Sequence, residues 1–269
     1  MTLRVNGNDA SNRAITQVHR TQRNLTRSFS RISSGLRIAS AADDAAGLAV
    51  SENLDTQHRS LRQASRNTND GIAMLQTAEG ATNEVSEMLK RMRELAVQSA
   101  SGTLTNTDRG YADTEFQALK AEIERVADTT EYNGQMVGNS GATFKIQVGI
   151  DATNSQIDLV TGDLNGLGTT GSVTSAANAV TAITALDTSI RSVAGYRSKY
   201  GAVHNRLESA LNNLETFTAN VAGASSTIRD ADFAHETAEL SKFQIMQQAG
   251  VAILGQANGL NTGALRLIG

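Results

Sequence analysis

Apolar residues recur at alternating spacings of three and four at both ends of this chain. Near the N-terminus the series is Ile15, Val18, Gln22, Leu25, Phe29, Ile32 and Leu36, apolar everywhere except at Gln22. Near the C-terminus it is Met246, Gly250, Ile253, Ala257, Leu260, Ala264 and Leu267, with large and small residues alternating. A seven-residue repeat returns the same stripe of a helix to the same side every two turns. Both ends are thereby restricted to helices that pair. Most domains leave their termini loose, so seams placed there call for partners, either the chain's other end or neighbouring chains. Pro is absent, which removes the commonest helix breaker and suits long helices. Only 39% of residues are hydrophobic and 4% aromatic, which predicts no large globular core and no rigid core in the middle.

At 269 residues the chain can hold one elongated domain or two compact ones. The lack of Cys excludes disulfides and thiolate metal sites without fixing the compartment. Net charge is −3, so bulk electrostatics favour no polyanion. The distribution says more. Residues 1–40 hold seven Arg against Asp9 alone, whereas 230–269 hold Asp230, Asp232, Glu236 and Glu239 against Lys242 and Arg266. The two ends are weakly complementary. Arg13, Arg20 and Arg27 share one heptad position opposite the seam and form a ridge. Such a ridge could hold nucleic-acid phosphates, but few Lys accompany it and the seam occupies the same helix, so no nucleic-acid partner is expected. No stretch approaches the ~20 apolar residues of a membrane span, and residues 1–20 lack the apolar region of a secretory signal. The chain is expected to stay in the cytosol or to leave by a route that needs no such signal.

The pattern predicts a first helix from Ala10 into the Ser33-Ser34-Gly35 region. Leu48, Leu54 and Leu61 continue helical spacing through an Ala-, Asp- and Asn-rich stretch. Ile72, Leu75, Val85, Met88, Met92 and Leu95 predict helix again from 72 to 99, broken at Ser101-Gly102-Thr103. Phe116, Leu119, Ile123 and Val126 face inward on a helix over 108–129. The period then changes to two. Phe144, Ile146, Val148 and Ile150, then Ile157 and Leu159, flank the turn Asp151–Ser155 and predict a β-hairpin near 143–160. Residues 161–175 read as a surface loop. Helix returns at Ala176, carries Val180, Ile183, Leu186, Ile190, Val193, Tyr200, His204, Leu207, Leu211, Leu214 and Val221, and gives way to a last helix over 233–267. Gly250, Gly255, Gly259 and Gly263 each cost that helix ~1 kcal/mol relative to Ala, so it needs a partner to become ordered.

Short motifs that suggest chemistry fail on context. Gly166-Leu167-Gly168-Thr169-Thr170-Gly171 has dinucleotide-loop spacing, but the required acid would be Asp187, inside a helical pattern and not at the end of a second strand. His235-Glu236-Thr237-Ala238-Glu239 places Glu239 where a zinc-binding helix needs its second His. The four His, at 19, 58, 204 and 235, are scattered. Asp43-Asp44 lacks a partner base and reads as a helix start or turn, and the sequon at Asn24 lies on the seam helix. No cofactor, metal or catalytic set is expected.

Several segments, taken together, resemble bacterial flagellin. They are Arg31–Ile38, Asp43–Ala49, Gln63–Ile72, Arg93–Ala100, Tyr132–Gly134, Ile146–Gly149, Gly201–Leu207, Gln244–Gly250 and Gln256–Asn258, in family order. The resemblance implies a mainly α fold, an elongated antiparallel helical rod or coiled coil of both chain ends with a small β-hairpin region. It implies an inner core of 1–40 with 230–269 forming a filament tube, and an outer core of 41–229 in which the loop 161–175 replaces a variable domain. It further implies a structural subunit that is exported by the flagellar type III system and polymerises with copies of itself for motility. Its place would be the flagellar filament, external, sheathed or periplasmic. An export chaperone, cap and junction proteins are implied as partners, and a host Toll-like receptor through Arg91, Leu95 and Glu115. The alternative is a hook–filament junction protein of the same helical plan, which would match poorly at Gln63–Ile72 and Gln244–Gly250. A flagellin-borne metalloprotease would need an intact H-E-x-x-H, which is absent. The tail Gly259–Ala264 also lacks the Pro common in relatives.

The assembly seam expected is Ile15, Val18, Leu25, Phe29, Ile32 and Leu36 packed on Met246, Ile253, Leu260 and Leu267. The glycine-weakened last helix and a seam otherwise exposed to water predict that both ends order only on assembly. Hydrogen exchange on the soluble monomer should find little protection in 1–40 and 230–269; strong protection in a confirmed monomer would refute the expectation.

Overall fold

The computed structural model describes residues 8–139, 141–168 and 171–266. Five helices carry most of the chain: α1 Asp9–Ser34, α2 Ala45–Ala100, α3 Asn106–Thr129, α4 Ala176–Arg229 and α5 Phe233–Arg266. Between α3 and α4 come β1 Glu131–Tyr132, β2 Gln135–Met136, β3 Thr143–Gln147 and β4 Gln156–Val160. The chain divides into two units, Gln57–Ala219 and Met1–Thr56 with Asn220–Gly269.

The unit Gln57–Ala219 is built on a stripe of α2 that never breaks spacing. Leu61, Ala64, Thr68, Gly71, Leu75, Ala78, Thr82, Val85, Leu89, Met92, Ala96 and Ser99 are all buried. The sequence pattern splits α2 near residue 70 because Thr68 and Gly71 occupy inward positions that are not apolar. Thr68 is accommodated because its hydroxyl donates to the Ala64 carbonyl at 2.8 Å, and Thr82 does the same to Ala78 at 2.7 Å. A buried hydroxyl satisfied within its own helix leaves no orphan group. Gly71 lies beneath Ile146, whose side-chain carbons would stand 3.1 Å from any Cβ added there.

Contrary to the composition-based expectation, this unit has a firm core. Val85, Leu89, Met92, Phe116, Ile123, Leu164 and Leu186 are fully enclosed, and Met74, Leu75, Val137, Leu159 and Tyr200 form a second cluster. Three helices need only one apolar stripe each, so a modest hydrophobic fraction suffices. On α4 the inward positions at the start are Ala179 and Ala182, while Val180 is exposed.

Polar groups close the connections. Thr105 caps α3 in a capping box with Asp108, and the Thr105 hydroxyl holds the Asp108 carboxyl below its usual range. Buried Arg109 donates from Nε to the Ser99 carbonyl and from Nη2 to the Ser101 carbonyl, both at 2.8 Å. It thus satisfies carbonyls that the end of α2 would leave open. β1 and β2 form a hairpin that periodicity did not reveal. Its turn, Asn133-Gly134, has φ of 49° and 74°, the positive values that hairpin turns of this length require. β3 and β4 pair antiparallel with Phe144 opposite Leu159 and Ile146 opposite Ile157, within the expected 143–160. Burial pushes the Tyr200 hydroxyl up, and it accepts from Gly162 N–H at 2.6 Å, tying the segment after β4 to α4.

Phe116→Ala should cost about 3–5 kcal/mol of this unit's stability through the cavity it leaves. Tyr111→Ala, at an exposed site, should change it by less than about 0.5 kcal/mol. Thermal unfolding of both variants checks the contrast.

Candidate assembly surface

In the unit formed by Met1–Thr56 and Asn220–Gly269, α1 and α5 pair antiparallel. Gly35 ends α1 with φ 71° and donates its N–H to the Arg31 carbonyl. Beyond it, Leu36 and Asp230 form an antiparallel bridge. Arg37 N–H donates to the Arg229 carbonyl at 2.8 Å, and Ala231 N–H to the Gly35 carbonyl at 2.9 Å. Asp44 accepts from Gly47 N–H at 2.9 Å at the start of α2. Asp43 accepts from the Ser40 hydroxyl at 3.0 Å, which lowers its carboxyl pKa. The acidic pair is therefore helix-start and turn chemistry.

Four polar contacts run along the pair. Arg31 Nη1 meets Glu236 at 3.0 Å. Gln247 donates to Gln22 at 2.5 Å, the Ser11 hydroxyl to Asn258 at 2.9 Å, and Asn8 to the Ala257 carbonyl at 3.1 Å. From Arg31–Glu236 through Gln22–Gln247 to Ser11–Asn258 the partners run in opposite directions along the two helices. Glu236 is only 6% exposed. Removing Arg31 would leave a buried carboxylate alone, a loss worth about 3–5 kcal/mol. The charge asymmetry of the chain ends is thus realised in one buried ion pair.

The face that makes the pair is only partly the expected one. On α1 it consists of Ser11, Ala14, Val18, Thr21, Leu25, Ser28 and Ile32, and the serines and the threonine are its most buried members. Val18, Leu25, Ile32 and Leu36 are half-buried, whereas Ile15 is exposed and Phe29 is 63% exposed. On α5 the inward residues are Glu236, Phe243, Gln247, Gly250, Leu254 and Ala257, while Met246 is exposed and Ile253 is 59% exposed. The reason is close approach. A Cβ at Gly250 would stand 2.8 Å from Val18 Cγ2. At such separation small side chains fit between the axes and large ones are displaced outward. The Leu260 side chain and all of Leu267 lie outside the described residues.

Sequence periodicity missed Ile245, at 66% exposure, and Val251, at 57%, both on α5. The other residues singled out are placed as follows. Arg91 donates to Glu115 at 2.8 Å and to Glu94 at 3.0 Å on an open surface. Leu95 is only 3% exposed and belongs to the core cluster, so it presents almost nothing to a partner. Asp187 lies within α4 and accepts from Arg93 at 2.6 Å. Glu239 pairs with Lys242 at 2.8 Å. Among the described residues no group of three or more His, Asp or Glu could hold a metal ion, and no described helix is long and apolar enough to cross a membrane.

In the assembled polymer, where the two ends are expected to be ordered, Gly250→Val should speed amide exchange in α1 around Val18, since the added methyls have no room. Gly255→Ala meets nothing within 4 Å and should leave exchange unchanged or slower, gaining about 1 kcal/mol of helix propensity. Equal behaviour of the two variants would contradict the close approach.

Known proteins similar to this chain are flagellins and flagellar filament proteins. Residues 5–137 match the model of the bacterial flagellin N-terminal helical region, and 183–268 that of the bacterial flagellin C-terminal helical region. A flagellin of Halalkalibacterium halodurans is 43% identical over 247 residues, covering 90% of this chain and 91% of the relative. The flagellar filament core protein flaB2 of Brachyspira hyodysenteriae is 38% identical over 262 residues, covering 91% and 92%. The crystal structure of Bacillus cereus flagellin matches with a TM-score of 0.52 at 36% identity, over 60% of this chain and 94% of that one. These matches give the hook–filament junction alternative no better support. The chain belongs to the flagellin family, the structural subunits of the bacterial flagellar filament.

Proposed function

We propose that this subunit polymerises through the large apolar residues that the α1–α5 pair leaves in water, and that its role is structural and not catalytic. The observation that carries the reading is the exposure of Phe29, Ile245, Val251 and Ile253 on two helices already paired with each other. Full burial of such a side chain contributes roughly 1.5–3 kcal/mol, and several on one short pair are a strong reason to associate. In this reading residues 1–40 and 230–269 line the inner tube of the filament, and 41–229 form its outer core. The family resemblance supports export through the flagellar type III channel, with a chaperone and a cap at the growing tip. The filament then lies outside the cytoplasmic membrane.

The family resemblance extends to recognition of the monomer by a Toll-like receptor. Support for contact rests on Arg91 and Glu115, which present charged groups on the surface of α2 and α3. Leu95 would act only indirectly, by holding α2 against the core.

Seeded polymerisation tests the assembly reading. Phe29→Asp and Ile253→Asp should each block growth, because a carboxylate buried between subunits without a partner costs more than the apolar contact it replaces. The unit Gln57–Ala219 should melt as before. Arg20→Ala, on the solvated ridge, should polymerise. Normal filaments from both Asp variants would refute the proposal.

A further inference from the structure

Asn-Gly dipeptides occur at Asn6, Asn133, Asn165 and Asn258. Glycine has no side chain to shield its backbone nitrogen, so that nitrogen can attack the carboxamide carbon of the preceding asparagine. The structure separates the sites. Asn6 lies outside the described residues. Asn133-Gly134 is held as the turn of the β1–β2 hairpin. Asn165-Gly166 sits in a turn that the Leu167 N–H closes onto the carbonyl of buried Leu164. Both belong to the unit Gln57–Ala219, which has its own core. Among the described sites, Asn258-Gly259 alone lies inside a helix, α5, and it stands at the contact with α1. The Asn258 side-chain oxygen accepts from the buried Ser11 hydroxyl at 2.9 Å. Beside it, Asn8 accepts from the Ser11 N–H at 3.0 Å and donates to the Ala257 carbonyl at 3.1 Å.

We infer that Asn258 is a deamidation site that the pairing of α1 with α5 switches off, so that subunits left unassembled age and assembled ones do not. In the paired helix the reaction is blocked twice. Helical backbone aims the Gly259 nitrogen at the carbonyl four residues back, and turning it onto the Asn258 carboxamide requires leaving helical ψ. The hydrogen bond from Ser11 ties that carboxamide to the other helix. Disordered ends lose both restraints. The Gly259 nitrogen then gives up its proton and bonds to Asn258 Cγ, the Cγ–Nδ2 bond breaks, and ammonia leaves, closing a five-membered succinimide. Water opens the ring at either carbonyl, with no oxidation or reduction. One opening gives aspartate. The other gives isoaspartate, in which the main chain runs through the former side chain and is one carbon longer. That extra carbon shifts later amides out of register with the carbonyls before them, so α5 cannot run unbroken past this position to Arg266.

Soluble subunits and filaments grown from them are incubated side by side at mildly alkaline pH and mapped by peptide mass spectrometry, with isoaspartate scored by an isoaspartyl methyltransferase. Asn133 and Asn165 are references within the same chain, because their unit is folded in both states. Relative to them, Asn258 should convert at least about tenfold faster in the soluble subunit than in the filament, the equivalent of ~1.4 kcal/mol for opening the pair. Aged subunits should extend seeds poorly, with the chains modified at Asn258 left in the unpolymerised fraction. Gly259→Ala, whose methyl meets nothing within 4 Å, keeps Asn258 while shielding the nitrogen, and should retain full growth after ageing. Asn258→Gln, which cannot close the five-membered ring, should do the same. Equal conversion at Asn258 in the two states, or incorporation of chains modified there as readily as fresh ones, would overturn the inference. It rests on the ends ordering only on assembly, and not on which residues join copies. Hydrogen exchange on the soluble subunit separates the two failures. An unprotected α5 with Asn258 intact overturns the inference alone; a protected α5 with Asn258 intact overturns the expectation of disordered ends with it.

Discussion

Helices of 56 and 54 residues can bury a stripe along their length only if the inward positions keep alternating three and four without interruption. Everything else in this molecule accommodates that constraint. Where α2 cannot place an apolar residue, it places Thr68 or Thr82, whose hydroxyl folds back onto its own helix, or Gly71, which lets the β3–β4 hairpin sit closer. The stripe is therefore continuous in space while interrupted in hydrophobicity. α3, both hairpins and α4 pack along it, and the core gathers where they meet.

The same constraint acts differently on α1 and α5. Here the most buried residues of the α1 stripe are Ser11, Thr21 and Ser28, and on α5 Gly250 lets the two helices approach closely at Val18. Close approach limits how much apolar area the pair can bury within one chain. It also leaves the large residues outside, on either side of the contact. A pair of this kind gains modestly from its own packing. Arg31 and Glu236 add directionality: a buried carboxylate that must find its guanidinium disfavours arrangements in which the helices meet otherwise.

Much of this was legible from residue order. The breaks at Gly35 and Ser101–Thr103 and the β3–β4 hairpin follow from spacing and turn chemistry, and the pairing of the two ends was implied by the family resemblance. Less legible were features whose signal lies in backbone geometry or distance. The Asn133-Gly134 hairpin is too short to show alternation. Arg109 looked like any surface cation on α3, yet its donors close the end of α2. Leu95 could be placed in the core by its helical spacing, but how little of it reaches the surface depended on what α3 and α4 lay over it.

The sequence by itself determined that the chain is made of long helices, that its ends carry heptad seams, and that the ends bear opposite charge excesses, because these depend on local periodicity and composition. Tertiary structure decided which side of each seam turns inward. A seven-residue repeat marks two rows equally well beside Val18, Leu25 and Ile32: the large row Ile15, Gln22, Phe29 and the small row Ala14, Thr21, Ser28. Hydrophobicity favours the first. The distance between the helix axes chose the second, because only small side chains fit where Gly250 meets Val18. The large row was left exposed.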